Sequence, residues 1–352
     1  MNLLKGVKRS VLAKKGFGLF KVFARSNWRR QRLLILCYHG VAMGDEHASH
    51  PWMFMPPDTF ARRMEILQNC GCRVLGISEA LRLLQTGKLP ERSVVITFDD
   101  GWADFYAKAF PILRKHGFPA TVYLTTYYCI FNRPIFRFAL GHMAWKRRDA
   151  FVGAPDIPWL PPHIVLDTAE GRARLVSKID DYAKNAKMSG QQKDDLAREF
   201  ASIIGFDYQA FCRERLFHLM NPREVAEMAQ LGIDFQLHTH RHRTPLERSL
   251  FLREIEENRR VIQELTGVDS HDHFCYPSGA SRADFLPWLS EGRVRSAVTC
   301  DYGYCAQSSD SLLLPRFLDQ GGTTDDEFEA WVTGFAALIP RRRVVSLDVA
   351  PE

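Results

Sequence analysis

The chain has 352 residues, 46% hydrophobic and 25% charged, a make-up that suits a globular protein and excludes a disordered or fibrous one. Its formal net charge of +6 comes from one end, because residues 1–44 carry ten Lys or Arg and no Asp or Glu. No nucleic-acid motif accompanies that charge, so no nucleic-acid partner is expected. The eight cysteines form no CxxC pair and no zinc-finger spacing, and they read as buried free thiols of a reducing compartment.

The basic stretch, residues 1–32, comes first. Leu4, Val7, Val11 and Leu12 recur at helical spacing, with Lys5, Lys8, Arg9 and Lys15 between them. That pattern predicts a basic amphipathic helix, lying either on an anionic membrane surface or against the protein's own body. Lys14, Lys15 and Lys21 interrupt any signal-peptide core, and no apolar run is long enough to span a bilayer. A transit peptide is the third reading of so acid-poor a segment. The expected location is cytoplasmic, with peripheral contact on the inner face of the membrane through residues 1–32.

From residue 33 on, short apolar runs alternate with helical patterns. "LLILCY" (33–38) predicts a buried strand ending at His39-Gly40, and "CRVLG" (72–76) a second strand. Ser78 is the expected N-cap of a helix stopped by Gly87. "SVVITF" (93–98) is the clearest strand and runs into Asp99-Asp100-Gly101. A helix over 103–116 follows, ended by Gly117, and then the strand "PATVYLT" (119–125). Residues 127–222 break the alternation, being rich in aromatics and proline and then helical, and are expected to be an insertion, a cap over the body. Alternation resumes with a helix at "NPREVAEMAQLG" and the strand "IDFQL" ending at His238. A helix over 246–265, strand ends at "HFCYP" and "SAVTC" (296–300), a last strand "SLLLPRF" (311–317) and a helix over 325–338 complete the body. Seven or eight strands in βα alternation point to a closed or nearly closed barrel. One domain over 33–340 and a tail over 341–352 are expected.

In such a barrel the C-terminal strand ends share one mouth. The mouth would therefore gather Tyr38-His39, Asp99-Asp100, His238-Thr239, Tyr276-Pro277 and Arg316. Two adjacent carboxylates before Gly101 read either as plain turn residues or, since such a pair needs a cation or a shared proton, as one metal ligand beside one free base. "HTHRH" (238–242) puts a histidine at every second position. A strand would point all three to one face, whereas a turn would bring together only His238 and His242. Two His and one Asp leave positions open and suit Zn²⁺, and equally Fe²⁺, Co²⁺ or Ni²⁺.

These residues resemble the polysaccharide deacetylase family, carbohydrate esterase family 4 with the NodB-homology domain. "TFDDG" (97–101) resembles its first motif, "HTHRH" its second, and "FCYPSG" (274–279) its third. "LCYHGV" (36–41) resembles the opening strand of one subgroup. The resemblance covers roughly residues 33–320 and is weakest over 127–222. It implies a distorted (β/α)7 barrel with a helical insertion and the basic N-terminal helix as additions. It further implies a divalent metal, Zn²⁺ first, held by Asp100, His238 and His242, and Asp99 as general base. The Tyr276 backbone N–H would face the oxyanion, with Tyr276, Pro277, Thr239 and Arg316 as substrate-binding residues. The implied activity is removal of an acetyl group from an N-acetylated sugar of a polysaccharide, an oligosaccharide or a lipid-linked precursor. Thr239 either helps bind acetate or fixes the turn, or else caps a helix.

The family's late Leu-x-His histidine is missing, since no histidine follows His273, and Arg316 stands in that region. His39 is the favoured substitute as general acid, with His240 the other candidate and a hydrogen bond to a metal ligand the structural alternative for His39. Competing functions are an O-acetyl sugar esterase on the same site and a catalytically degenerate carbohydrate-binding or assembly protein. A non-haem iron oxygenase would leave the second aspartate without a role.

Overall fold

The computed structural model describes residues 19–149, 151–152, 157–160 and 164–338. The amphipathic pattern up to residue 18 and the tail 341–352 lie outside the described residues. Seven parallel strands form the body: β1 (Leu34–Tyr38), β2 (Ser93–Asp100), β3 (Thr121–Leu124), β4 (Asp234–Leu237), β5 (His273–Cys275), β6 (Ser296–Tyr302) and β7 (Leu314–Leu318). Each pairs with its neighbours in sequence, and β1 pairs with both β2 and β7, which closes the ring. The closure is distorted. A single register pair, Phe274 with Leu237, joins β4 to β5, and a register shift interrupts the β6–β7 ladder between Val298 and Tyr302.

The predicted strand at 72–76 shrinks to Arg73–Val74 and stays outside the ring. Val94 pairs with both Val74 and Leu34, so the extra strand takes the edge of β2 that β3 occupies further along. Ser78 is not an N-cap. The helix Ile77–Gln85 starts from Gly76, and the Ser78 hydroxyl bonds His273 Nε2 at 2.8 Å instead. The helix expected over 103–116 is a π-helical turn, Phe105–Ala109, leading into Phe110–His116, which Gly117 ends in the left-handed region at φ 63°. Among its described residues the insertion holds five helices, from Thr126–Phe131 through Phe136–Lys146, Ala169–Asn185 and Gly190–Ile203 to Tyr208–Arg213. It leaves the body after β3, on the mouth side, and returns through the capping box of Asn221 and Glu224.

Strand periodicity sorts the core into two layers. Leu34, Leu36 and Tyr38 pack with the helix layer, while Leu33 and Ile35 pack with Val95, Tyr123, Cys275, Val298 and Leu314 in a separate interior cluster. Ile77, Ala80 and Leu84 of the helix Ile77–Gln85 join that cluster and seal its lower end. The last part of the basic segment packs on the barrel. Phe20 is buried against Phe335, and the fully buried Arg29 donates to the carbonyls of Val332, Ser93 and Arg32. Among the described residues no helix is long and apolar enough to cross a membrane.

Candidate metal centre at the barrel mouth

The period of two that places Ile35 and Val95 inside the barrel also places Cys37, Thr97 and Asp99 there, above the apolar plug. Leu314 does the same for Arg316. Asp100 would by that parity face outward. The backbone prevents it, because Asp100 adopts φ 71°, a left-handed value costly for a residue with a Cβ. Gly101 follows at φ 87°, where a Cβ would lie 2.3 Å from Leu124 Cδ1, so only glycine lets the chain turn there. Thr239 (φ 61°) and His242 (φ 55°) share the left-handed conformation, so three non-glycine residues of this one site hold strained backbone.

The turn at 238–242 settles which histidines converge. His238 Nε2 lies 3.2 Å and His242 Nε2 3.3 Å from Asp100 Oδ1. His240 turns away, with its Nδ1 2.8 Å from the Thr126 hydroxyl. His238 Nδ1 donates to the Cys275 carbonyl at 2.8 Å, which fixes the tautomer and leaves the Nε2 lone pair aimed at a carboxylate oxygen. Two lone pairs repel at that separation unless a cation lies between them. The separations match the edge of about 3.3 Å of a tetrahedron built on bonds of ~2.0–2.1 Å, so the three residues fit a divalent ion. Burial alone would raise the Asp100 pKa, but the close approach of the His238 and His242 imidazoles outweighs it, and the carboxyl is held well below the usual carboxylate range. The Trp102 indole N–H donates to Asp100 Oδ2 at 2.9 Å, and Asn258 Oδ1 accepts from the His238 backbone N–H.

Asp99 sits beside this set in a different setting. Arg316 clamps it through two bonds of 2.7 Å, Nη1 to Oδ1 and Nη2 to Oδ2. Burial would raise the Asp99 pKa, but the charge and hydrogen bonds of Arg316 outweigh it and hold the carboxyl well below its usual range. His39 Nε2 is 3.9 Å from Asp99 Oδ2. Burial lowers the His39 pKa, and the carboxylates of Asp99 and Asp100 only partly oppose that, so the imidazole rests neutral. Cys37, His39 and Asp99 form a second cluster of donor atoms, but the Arg316 guanidinium against Asp99 would repel a cation there. The side chains of His39 and His242 are 19% and 30% exposed, which marks the open side of the site.

Three expected substrate contacts do not hold. Arg316 is fully buried, and beyond Asp99 it donates to the Thr299 carbonyl and the Thr97 hydroxyl. It therefore positions Asp99 and cannot reach a substrate. Thr239 is also fully buried, and its hydroxyl accepts from the Arg243 N–H, so it fixes the turn. The Tyr276 N–H donates to the Val298 carbonyl across the sheet and its hydroxyl to the Leu312 carbonyl, so neither faces an oxyanion. Pro277 opens the short turn Pro277–Gly279, where the exposed Ser278 is left-handed at φ 55°. Trp102, Thr97, Cys37 and Cys275 were not expected in the site. The parity of β1 and β2 was the signal for Cys37 and Thr97, and the Asp-Gly-Trp run was the signal for Trp102.

A family model described as polysaccharide deacetylase matches residues 86–137 and 203–295, leaving out most of the insertion. The relative named "Putative polysaccharide deacetylase YxkH", from Bacillus subtilis (strain 168), is 36% identical over 94 residues, 26% of this chain and 32% of the relative. The poly-beta-1,6-N-acetyl-D-glucosamine N-deacetylase of Escherichia coli (strain K12) is 31% identical over 100 residues, 28% of this chain and 15% of that protein. The matched stretch thus spans a third or less of either relative. A Streptococcus pyogenes deacetylase, PplD, solved in complex with acetate, superposes with a TM-score of 0.55 at 18% identity, covering 84% of this chain and 96% of that one. That last likeness is one of fold. The resemblance to polysaccharide deacetylases read from the motifs, and the (β/α)7 barrel it implied, are borne out.

Proposed function

We propose that this chain, which carries the polysaccharide deacetylase pattern on a seven-stranded barrel, removes acetyl groups from an N-acetylated sugar of a polysaccharide or its precursor. The observation that carries the reading is the convergence of His238 Nε2 and His242 Nε2 on Asp100 Oδ1, with a separately clamped carboxylate next to it. Asp100, His238 and His242 would hold a divalent ion, zinc being the first choice for two imidazoles and a carboxylate. When bound, that ion supplies Lewis acidity to the acetyl carbonyl and to the attacking water.

The chain's own residues then have distinct tasks. Asp99, kept ionised by Arg316, orients the attacking water and takes its proton. So depressed a carboxyl is a weak base and passes the proton on readily. His39, neutral at rest and 3.9 Å away, receives it and delivers it to the leaving nitrogen, which removes the need for a late histidine. The products are acetate and a free amino sugar. Acetate release from beta-1,6-linked N-acetylglucosamine oligomers, compared with O-acetylated sugar esters, tests the reading. Release from the amide supports it, release only from esters makes the chain an esterase, and none from either favours a binding protein.

We also propose a cytoplasmic location with peripheral contact at an anionic membrane surface, supported by the cluster of basic residues before Asp45. Because Phe20 and Arg29 serve the barrel, the truncation that tests it removes only residues up to 18. Partition onto anionic vesicles should fall while activity on a soluble substrate persists. Unchanged partition refutes the contact.

A further inference from the structure

Trp52 keeps 53% of its surface in water although it sits in a tightly anchored loop. A lone exposed indole is ordinary on a protein surface, but the anchors of this one are not. The Gly40 N–H, next to His39 at the end of β1, donates to the Met53 carbonyl at 3.0 Å. The Gly321 N–H, just past the end of β7, donates to the Pro51 carbonyl at 3.2 Å. Trp52 is therefore pinned between two bonds to the mouth ends of adjacent strands. The approach is close: a Cβ on Gly40 would lie 2.2 Å from the Phe54 ring. On the other side the Ser49 hydroxyl bridges His50 Nδ1 and His142 Nδ1, 2.9 Å from each, which ties the loop to the insertion helix Phe136–Lys146.

Trp52 is also continuous with the metal-holding residues. Its ring lies 5.8 Å from that of Phe138, which lies 5.3 Å from Trp102, the residue bonded to Asp100. Two aromatic contacts thus lead from the indole that holds the Asp100 carboxylate to an exposed indole on the rim. A rigid aromatic face at that place suits one ligand chemistry well. The C–H-bearing face of a pyranose ring packs on an indole, while its hydroxyls stay in water.

We infer that Trp52 is the stacking platform of a second sugar subsite, which seats the residue next to the one being deacetylated and makes an oligomer the preferred substrate. The inference rests on the deacetylase reading for its reaction but not for its binding. The test compares the full-length metal-loaded chain with its Trp52→Ala and Trp52→Phe variants on the monomer and the pentamer of beta-1,6-linked N-acetylglucosamine. Trp52→Ala should raise KM for the pentamer about tenfold, the size of one lost aromatic contact, with kcat held. Its kcat/KM on the monomer should not change, and Trp52→Phe should regain most of the loss. Unchanged KM on the pentamer, or an equal loss on the monomer, overturns the platform. If the loaded wild-type chain releases no acetate at all, the reaction reading fails, and calorimetry with the intact pentamer still decides the platform. About tenfold weaker binding by Trp52→Ala supports it, and equal binding overturns it.

Discussion

Replacing Arg316 by Met would strip the buried Asp99 of its counter-charge while roughly keeping the volume. The side chain is fully buried and makes two 2.7 Å bonds to the carboxylate, with further bonds to Thr97 and Thr299. Removing one partner of such a pair costs about 3–5 kcal/mol, because the other charge stays buried and uncompensated. A domain of ordinary stability holds only about 5–15 kcal/mol in all, so the variant should be visibly destabilised in urea. The pH dependence should change as well. In the wild type the Asp99 pKa is depressed, so its stabilisation is present above the ordinary aspartate value and is lost only as pH falls through the lower folded one. This group therefore adds no slope between pH ~5 and ~8. Without Arg316, burial would push the Asp99 pKa above its unfolded value. The folded state would then bind more protons than the unfolded one, and stability would fall as pH rises across that window. Adding Asp99→Asn to the Arg316→Met variant should restore most of the stability and flatten the profile. A loss under ~1 kcal/mol, the scale of an exposed pair, with no new pH slope would refute the clamped-pair account.

Other outcomes follow from the same geometry. His238→Ala and His242→Ala should each lose metal by elemental analysis, while His240→Ala, whose imidazole bonds Thr126, should keep it. Trp102→Phe deletes the N–H donated to Asp100 Oδ2 and should weaken metal affinity about 10–100-fold in a chelator competition. His39→Gln should cut kcat by about 10²–10⁴-fold at unchanged metal content if His39 moves the proton; an equal loss of metal would make it a structural partner.

Much of this was legible in the chain because apolar strands that end in polar pairs must, in a barrel, point those pairs at one mouth. Asp100, His238, His242 and His39 were reachable by that argument. What escaped depended on backbone angle and parity. The left-handed turn at Asp100 sends two adjacent carboxylates to opposite tasks. Parity along β7 sends Arg316 inward onto Asp99, where a reading of strand ends alone made it a substrate contact. Tyr276 was misread because its N–H still belongs to the sheet. Ser78 was misread because a serine one residue inside a helix looks like a cap in sequence, whereas its hydroxyl serves His273. The strand 72–76 was overestimated because the edge of β2 it uses is taken further along by β3.

The most direct test of the account strips the full-length chain of metal with a chelator and titrates zinc back while reading acetate release from N-acetylglucosamine oligomers. The account predicts no release from the stripped chain, with recovery that saturates at one ion per chain and is absent in His242→Ala. Undiminished release without metal, or none at any zinc loading, would contradict it.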